Sequence, residues 1–394
     1  MKIAYFVHCY PPAKGGLEFL SGEIVKILRE AGHEVHVFTG KGATLDSYKI
    51  FSDWVDEKKD PDYIHRLPLR FFWQRLANKF LNKLIFLSGF FSPWYFGPIL
   101  QYTKQDEEII AQCDLIFGAG MPTKMFYDSY LFARKYDKRL IVHPSYHDVN
   151  YYNRSYFFQK VLSFAEKVIV QTPLEEKQIS SNYKIPDGKF VRLAYSPYTN
   201  DQIKAQIKKV EKIQPSLSSE IVCGFIGQIS VRKNFDLFFN ILCNINDSNK
   251  LGKQIKMYFS GVKTNTSSSI EKLFESHKDK VIIKYNFENK DEEYKKIDIF
   301  INPSVQESLG LVNFEAIFHL MPLLVSSESA FYSLDKADNN FLSVSSGKSA
   351  ITKIEKVSMM TLDEMKSLLK KQLFFLLNFS RDNYAIKFLE VVEG

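Results

Sequence analysis

The sequence predicts an α/β protein built from two doubly wound domains, each a parallel sheet covered by helices. Short apolar runs typical of buried strands alternate with longer runs of helical periodicity, which is the pattern of a parallel sheet. The alternation stops in a polar, lysine-rich stretch near the middle of the chain and then starts again. The length of 394 residues suits two domains of about 150–200 residues better than a single hydrophobic core.

The first half of the chain supplies the first series of elements. A strand over 3–7 is followed by a helix over 17–31 with its apolar side chains on one face, and then by a strand over 35–39. Further strand-like runs lie at 114–117, 139–143 and 167–171. This series predicts an N-terminal domain over 1–197.

Polar residues between Pro197 and Pro215 predict a linker over 198–219. A second domain is expected over 220–375, with a helical stretch near its end and a tail over 376–394. Its predicted strands and helices lie at 221–226 (strand), 235–245 (helix), 256–259 (strand), 270–276 (helix), 281–284 (strand), 297–301 (strand) and 362–379 (helix).

The segment from Pro303 to Ala316 is the most informative part of the chain. Glu307 and Gly310 follow a predicted buried strand and precede a predicted helix, and Glu315 lies inside that helix. Strand-to-helix turns of α/β folds bind phosphates and sugars through free amides at the helix start. The amides expected to face a bound anion are those of Ser308, Leu309, Gly310 and Leu311.

Other loops carry candidate binding residues. Gly15 and Gly16 precede the first helix, where paired glycines allow close approach of a ligand, although a plain tight turn explains them too. Lys233 follows the strand at 221–226 and offers a charge for a diphosphate; a solvated lysine at a helix start is the alternative. His147 follows the strand at 139–143, with His143 as its competitor, and His8 is a weaker candidate for a residue that lines a pocket.

Composition excludes several functions. The four cysteines (Cys9, Cys113, Cys223 and Cys243) form no Cys-x-x-Cys pair, which argues against a metal site or disulfides and fits a reducing cytoplasm. The net charge of +7 permits attraction to phosphates, but the lysines are scattered and no nucleic-acid-binding signature is present. The Gly15–Gly16 loop is not Gly-x-Gly-x-x-Gly, so a nicotinamide dinucleotide is not expected.

The segment Trp73–Leu87 has one apolar, aromatic face and one basic face. Such a pattern is typical of a helix that lies on an anionic membrane surface. It is also the pattern of an ordinary helix packed on its own domain, which is the commoner role of amphipathic helices, and the sequence leaves both open.

Three of these segments resemble glycosyltransferase family 4, the glycosyl transferases group 1. The run from Pro303 to Ala316 resembles the Glu-x7-Glu signature of retaining enzymes of this family, with Glu307 and Glu315 as its glutamates. The loop from Pro11 to Glu18 resembles the Pro-x-x-Gly-Gly-x-Glu loop of the family. The run from Phe225 to Asn234 resembles a third family segment, but Gln228 replaces the usual arginine and Asn234 the usual glycine.

The resemblance implies the GT-B fold, in which two facing Rossmann-like domains enclose a nucleotide-sugar cleft and the C-terminal tail packs on the N-terminal domain. It also implies roles for single residues. Lys233 would hold the diphosphate, with Gln228 or Arg232 in a supporting role, and Glu315 the ribose hydroxyls. Glu307 would support the donor sugar and His147 would position it.

The resulting expectation is a metal-independent retaining hexosyltransferase that uses a nucleotide diphosphate sugar as substrate and needs no cofactor. Its acceptor would be a glycan or a lipid-linked hydroxyl compound, in the synthesis of cell-surface polysaccharide or glycolipid. A cytoplasmic protein is expected, with peripheral attachment to the plasma membrane left open. Two alternatives remain, a non-catalytic glycosyltransferase-like subunit and another nucleotide-sugar enzyme such as an epimerase.

Overall fold

The computed structural model describes residues 1–43, 47, 53–56, 60–70, 99–146, 156–214, 219–230, 233–244, 253–264, 266–305, 307–335 and 340–394. These residues divide into two compact units. Unit 1 comprises residues 1–193 together with 385–394, and unit 2 comprises residues 194–384. Two segments with predicted functions lie outside the described residues, namely Trp73–Leu87 and residues 147–155, which include His147.

Unit 1 is built on a parallel sheet whose strands, among the described residues, follow the order β3-β2-β1-β4-β5-β6-β7. The order reverses between β1 and β4, and the carboxyl ends of strands at such a switch point are where α/β sheets bind ligands. The strands are β1 (Lys2–Phe6), β2 (Glu34–Gly40), β3 (Ile64–Leu67), β4 (Leu115–Ala119), β5 (Arg139–His143), β6 (Lys167–Val170) and β7 (Phe190–Arg192).

Helices cover the unit 1 sheet, and threonines begin several of them. The Thr123 and Thr172 side chains each accept a backbone N–H of the first turn, which satisfies donors that a helix start otherwise leaves unpaired. The helices are α1 (Gly16–Glu30), α2 (Lys104–Gln112), α3 (Lys124–Tyr136), α4 (Tyr156–Phe164) and α5 (Pro173–Asn182).

Unit 2 repeats the architecture with a parallel sheet of order β10-β9-β8-β11-β12-β13 among its described residues. Its switch point lies between β8 and β11, whose carboxyl ends carry Lys233 and Glu307. The strands are β8 (Glu220–Ile229), β9 (Gln254–Lys263), β10 (Val281–Tyr285), β11 (Ile299–Asn302), β12 (Leu323–Ser326) and β13 (Leu342–Val344). The two parallel doubly wound sheets confirm the predicted fold class.

The helices of unit 2 pack on both faces of this sheet, and their apolar faces join one hydrophobic core. They are α6 (Asn200–Val210), α7 (Asp236–Asn244), α8 (Ser267–Leu273), α9 (Lys290–Tyr294), α10 (Leu311–Phe318), α11 (Gly347–Ser358) and α12 (Leu362–Leu377). The last helix, α13 (Arg381–Glu393), begins in unit 2, and its residues from 385 onwards group with unit 1. Short 3-10 turns lie at Glu275–His277 and Tyr332–Leu334. Among the described residues, no helix is long and apolar enough to cross a membrane.

The linker predicted over 198–219 is wrong for most of its length, because α6 occupies residues 200–210 as part of unit 2. Thr199 and Gln202 form a reciprocal capping box at its start. Ile203 and Val210 are buried in the unit 2 core. The lysine-rich composition therefore belongs to the exposed face of an amphipathic helix.

The predicted C-terminal helix or tail over 376–394 comprises the last residues of α12 and all of α13. Its residues 385–394 group with unit 1. There the buried Phe388 ring packs edge-on against Phe117, with 5.9 Å between ring centroids. Arg139 Nη1 donates to the Val392 carbonyl at 3.2 Å, so both apolar and polar contacts hold the end of the helix.

Candidate functional site

In unit 2, the loops that follow β8 and β11 bring Lys233 against Glu307. The Lys233 ammonium forms an ion pair with Glu307 Oε1, although 74 residues separate the two in sequence. The side chains are 21% and 12% exposed, respectively. This juxtaposition puts a cation and a carboxylate, both still reachable from solvent, at the carboxyl edge of the sheet.

The other Glu307 oxygen, Oε2, accepts a hydrogen bond from Asn302 Nδ2 at 3.3 Å. Asn302 is fully buried at the end of β11 and also donates to Asn313 Oδ1 at 2.9 Å. Two further buried polar atoms, Ser304 Oγ and Asn313 Nδ2, have no hydrogen-bond partner among the described residues. The Glu307 carboxylate is therefore surrounded by a polar network in which some donors and acceptors remain available for further hydrogen bonds.

Gly310 separates Glu307 from α10 and permits their close approach. Its φ of 80° lies in the left-handed region, which favours glycine. A Cβ at this position would lie 2.5 Å from Glu307 Oε2 and 2.8 Å from Asn313 Nδ2. Gly310 is also the N-cap residue of α10, without a side-chain cap, so the amides of the first turn face the same loop.

Asn234, which takes the place of the usual family glycine, adopts a φ of 53°. Asparagine is one of the few residues other than glycine that populate this left-handed conformation. Its Nδ2 also donates to the Pro303 carbonyl at 3.3 Å. The departure from the family pattern therefore preserves the backbone shape and ties the Lys233 loop to the Glu307 loop.

Glu315 lies on α10 in a second cluster of unit 2. The Tyr294 hydroxyl donates to Glu315 Oε2 at 2.6 Å, and the Lys290 ammonium lies 2.5 Å from the same oxygen. Burial, with the nearby Glu315 charge, holds the pKa of Tyr294 well above its ordinary value, so the phenol remains a hydrogen-bond donor. Both of these contacts are made to Oε2 rather than to Oε1.

The remaining predicted residues of unit 2 differ in how exposed they are to solvent. Leu309 is buried, whereas Ser308 and Leu311 are partly exposed on either side of Gly310. Gln228 is exposed near the end of β8, opposite Val262 of β9. Arg232 lies outside the described residues.

In unit 1, the loop after β1 is held by a buried ion pair between Arg66 and Asp60. The Arg66 guanidinium donates to the carbonyls of Pro11 at 2.6 Å, Gly40 at 3.3 Å and Tyr10 at 3.5 Å. Gly15 then caps α1, and Gly16 is its first residue. Sequence reasoning missed Arg66 and Asp60, since Arg66 lies 55 residues away from Pro11 in the sequence.

His8 of the same loop is buried, and its Nε2 lies 3.7 Å from Glu18 Oε1. Burial lowers the pKa of His8 to about 4 and raises the pKa of Glu18. A Cβ at Gly15 would lie 2.0 Å from Glu18 Oε2, and a Cβ at Gly120 would lie 3.1 Å from His8 Nδ1. Gly15 and Gly120 therefore lie in close contact with the Glu18 and His8 side chains, where no larger residue would fit.

His143 ends β5 and is fully buried. Its Nδ1 contacts Ser145 Oγ at 3.2 Å, and its Nε2 has no partner among the described residues. Burial lowers the pKa of His143 to about 4, so the ring is neutral at physiological pH. His147, the predicted positioning residue, falls in the same loop but outside the described residues.

Glu175 of α5 fixes the start of that loop. Its carboxylate accepts the backbone N–H of Tyr146 at 2.7 Å and that of Gln171 at 2.6 Å. Burial raises the pKa of Glu175 to about 7, although these amides oppose the shift. This buried carboxylate therefore joins the loops that follow β5 and β6.

Residues 220–357 match the family model described as glycosyl transferases group 1. This part of unit 2 is similar to the glycosyl transferases group 1 family. The matched region contains Lys233, Glu307, Gly310 and Glu315, the residues of the two clusters described above. No curated protein matches the chain.

Solved structures match this region together with the rest of the chain. Sucrose-phosphate synthase from Thermosynechococcus elongatus is 16% identical at a TM-score of 0.68, covering 100% of this chain and 98% of that chain. Anabaena HepE in complex with UDP-glucose is 13% identical at a TM-score of 0.69, and the match covers 100% of this chain and 99% of that chain. The starch synthase IV catalytic domain from Arabidopsis thaliana, bound to ADP and acarbose, is 14% identical at a TM-score of 0.62. That match covers 99% of this chain and 98% of that chain. The chain therefore has the GT-B fold.

Proposed function

We propose that this protein is a retaining glycosyltransferase that moves a sugar from a nucleoside diphosphate to a hydroxyl group of an acceptor. The observation that carries the proposal is the Lys233–Glu307 pair beside Gly310, inside the region similar to the glycosyl transferases group 1 family. A cation beside an uncapped helix start suits the diphosphate of such a donor.

In the proposed reaction, the bond between the anomeric carbon and the diphosphate oxygen breaks, and negative charge grows on the diphosphate. Lys233 exchanges Glu307 for a phosphate oxygen and stabilises this charge, together with the first-turn amides of α10. Groups that are fixed before the reaction stabilise developing charge efficiently, because they need no reorganisation. No metal ion is assigned to this step.

Retention follows when the acceptor oxygen bonds to the anomeric carbon on the face from which the diphosphate departs. The acceptor proton passes to a departing phosphate oxygen, so a separate catalytic base is not needed. Glu307, freed from Lys233 and still hydrogen-bonded to Asn302, supports the donor sugar. His147 positions that sugar. The role of His147 is proposed from the sequence alone.

Glu315 binds the ribose hydroxyls through Oε1, while Lys290 and Tyr294 hold Oε2. Gly15 and Gly16 contact the donor phosphates or the acceptor. Uridine and adenosine diphosphate sugars are the first donors to test, since Anabaena HepE was solved with UDP-glucose and Arabidopsis starch synthase IV with ADP. The proposed acceptor is a glycan or lipid-linked hydroxyl, in polysaccharide or glycolipid synthesis.

A thermal-shift screen of nucleoside diphosphates tests donor binding first, because a ligand of the folded state raises its stability. The preferred nucleotide, offered as its sugar conjugates, then tests turnover through release of free nucleoside diphosphate. NMR of the product determines its anomeric configuration. An inverted anomer contradicts the retaining mechanism, and stabilisation by none of the nucleotides contradicts donor binding.

A non-catalytic subunit is the second candidate, and Gln228 favours it. The family arginine would add a positive charge near the diphosphate, whereas Gln228 is neutral and exposed at the end of β8. This candidate predicts nucleotide binding without donor hydrolysis or transfer. Restoration of turnover by Gln228→Arg would identify the missing charge as the cause.

A further inference from the structure

In unit 1, three side chains of different chemistry lie together just after the carboxyl end of β1. One ring nitrogen of His8, Sγ of Cys9 and one carboxylate oxygen of Glu18 lie within 4.8 Å of one another. His8 and Cys9 are buried, while Glu18 is partly accessible. We propose that these residues form a binding site for a divalent cation of the Zn²⁺ class.

The distances suit such an ion. Zn²⁺ lies about 2.0–2.1 Å from a histidine nitrogen, about 2.3 Å from a thiolate and about 2.0–2.2 Å from a carboxylate oxygen. Two ligands of one tetrahedral ion therefore lie roughly 3.3–3.7 Å apart. His8 Nε2 and Glu18 Oε1, at 3.7 Å, are already close to this separation. The complete set closes on an ion through small side-chain rotations.

The donor set also selects the class of ion. Nitrogen, sulfur and oxygen together suit Zn²⁺, whereas Mg²⁺ and Ca²⁺ prefer oxygen ligands alone. Three protein ligands leave a fourth tetrahedral position for water or an anion. The partly accessible Glu18 provides the side from which an ion enters.

The backbone that carries the ligands is fixed in advance. Arg66 binds the carbonyls of Tyr10 and Pro11, immediately after Cys9. Glu18 belongs to the first turn of α1, where the Phe19 amide donates to the Gly15 carbonyl at 3.0 Å. Gly15 leaves room for the Glu18 carboxylate, which a Cβ would displace. Little ordering is therefore required for the ligands to meet an ion.

The sequence predicted no metal site, because no cysteine pair or recognised ligand spacing is present. This set escapes such a search, since it contains one cysteine, an adjacent histidine and a glutamate contributed by the next helix. The proposal is independent of glycosyl transfer, and the proposed transfer does not require the ion.

Zn²⁺ binding to the full-length chain tests the site, after stripping with a chelator under reducing conditions. Competition with a chromophoric chelator measures affinity and stoichiometry, and we expect one ion per chain. Co²⁺ in place of Zn²⁺ should give a sulfur-to-cobalt charge-transfer band. Zn²⁺ should also raise the unfolding temperature of the wild-type protein.

Cys9→Ser should abolish the charge-transfer band, and Glu18→Gln should keep it. Each should lower Zn²⁺ affinity by at least about tenfold, since even the loss of an outer-shell partner costs about 10–100-fold. Cys243→Ser removes an exposed cysteine and serves as the matched control with unchanged affinity. Circular dichroism of the ion-free proteins establishes that each variant is folded.

Absence of Zn²⁺ binding by the folded wild-type protein overturns the proposal. So does equal affinity in the wild type, Cys9→Ser and Glu18→Gln, or loss of the charge-transfer band in Cys243→Ser alone. If Cys9→Ser does not fold, Glu18→Gln decides the outcome, because its carboxylate is only partly buried.

Discussion

Lys233 has a counter-ion of its own within unit 2. Glu307 holds the ammonium at the sheet edge, and Asn302 and Gly310 hold Glu307 in turn. A lysine kept in place by a carboxylate loses less side-chain entropy when it moves to a phosphate than a freely rotating one does. The pair therefore prepares the cation for the leaving group.

Lys233→Ala should lower kcat by about 10²–10³, the typical cost of losing one group that stabilises transition-state charge. Steady-state kinetics with the preferred donor measures the change. Lys256→Ala, which removes a lysine paired with Glu220 elsewhere in the β8–β9 region, is the control and should keep normal turnover. A Lys233→Ala protein with unchanged kcat would remove this lysine from the mechanism.

Gly310→Ala should weaken nucleotide binding and turnover, because the new methyl group would occupy the space of the Glu307 carboxylate. It should also destabilise the protein by about 1 kcal/mol, the cost of a left-handed conformation for a residue with a Cβ. Gly32→Ala shares the backbone cost, since Gly32 has a φ of 84° but open space around it. Calorimetric titration should show impaired nucleotide binding only in Gly310→Ala; equal impairment would contradict the steric argument.

Glu175 should make unit 1 less stable as pH rises. Its folded pKa of about 7 exceeds the ordinary value of 4.5, so the folded state retains a proton that the unfolded state releases. The stabilising contribution is complete below the ordinary pKa and is lost as pH rises to about 7. At about 1.36 kcal/mol per pKa unit, the change is roughly 3 kcal/mol.

Urea unfolding of the wild type and Glu175→Gln, at pH 5 and pH 8, measures this contribution. The unfolding free energy of the wild type should fall relative to that of the variant between the two pH values. Glu275→Gln changes a surface carboxylate and should follow the wild type. Parallel pH dependence of the wild type and Glu175→Gln would contradict the assignment.

Individual elements differed in how well the sequence predicted them. The strand at 281–284 and the helix from Leu311 were expected nearly as they occur, because each apolar run is bounded by polar or turn residues. β8 and β9 extend several residues beyond their predictions, since they pair with each other as far as Ile229 and Lys263. A tertiary partner thus sets their length, which local periodicity does not contain.

The segment Trp73–Leu87 should bind anionic membranes through its basic face. Each basic residue near such a surface contributes about 1 kcal/mol, and the attraction fades with salt. Co-sedimentation with anionic liposomes should therefore fail in the triple variant Arg75→Glu, Lys79→Glu, Lys83→Glu. The matched control with the same charge change is Lys204→Glu, Lys208→Glu, Lys209→Glu on exposed positions of α6. Equal pelleting of both variants, or none for the wild type, would favour a helix that only packs on its own domain.

At the scale of the whole molecule, the sequence was sufficient for the fold class, while the roles of the candidate residues of unit 2 stay predictions. The alternation of elements determines two parallel sheets, and Glu307, Gly310 and Glu315 lie next to one another in the chain. The contacts between distant segments were not predictable. Lys233 meets Glu307 across 74 residues, and Asn302 and Asn313 complete the site as single polar residues within apolar runs.

Transfer by the whole protein should survive EDTA, because Lys233 and helix amides are expected to neutralise the diphosphate. Initial rates with and without chelator should agree within experimental error. The test also separates catalysis from the proposed His8–Cys9–Glu18 site, which EDTA would empty. Loss of transfer that Mg²⁺ or Mn²⁺ restores would show that a metal ion serves the leaving group.

Arg66 contacts the loop after β1 through main-chain oxygens. Every residue type offers the same carbonyl, so this mode of attachment does not depend on which side chains Tyr10 and Pro11 carry. Side chains of this loop, and hence what it binds, can therefore change while Arg66 still holds the same backbone path. Substitutions of Arg66 or Asp60 should instead disturb the loop, although neither residue contacts a ligand in the proposed reaction.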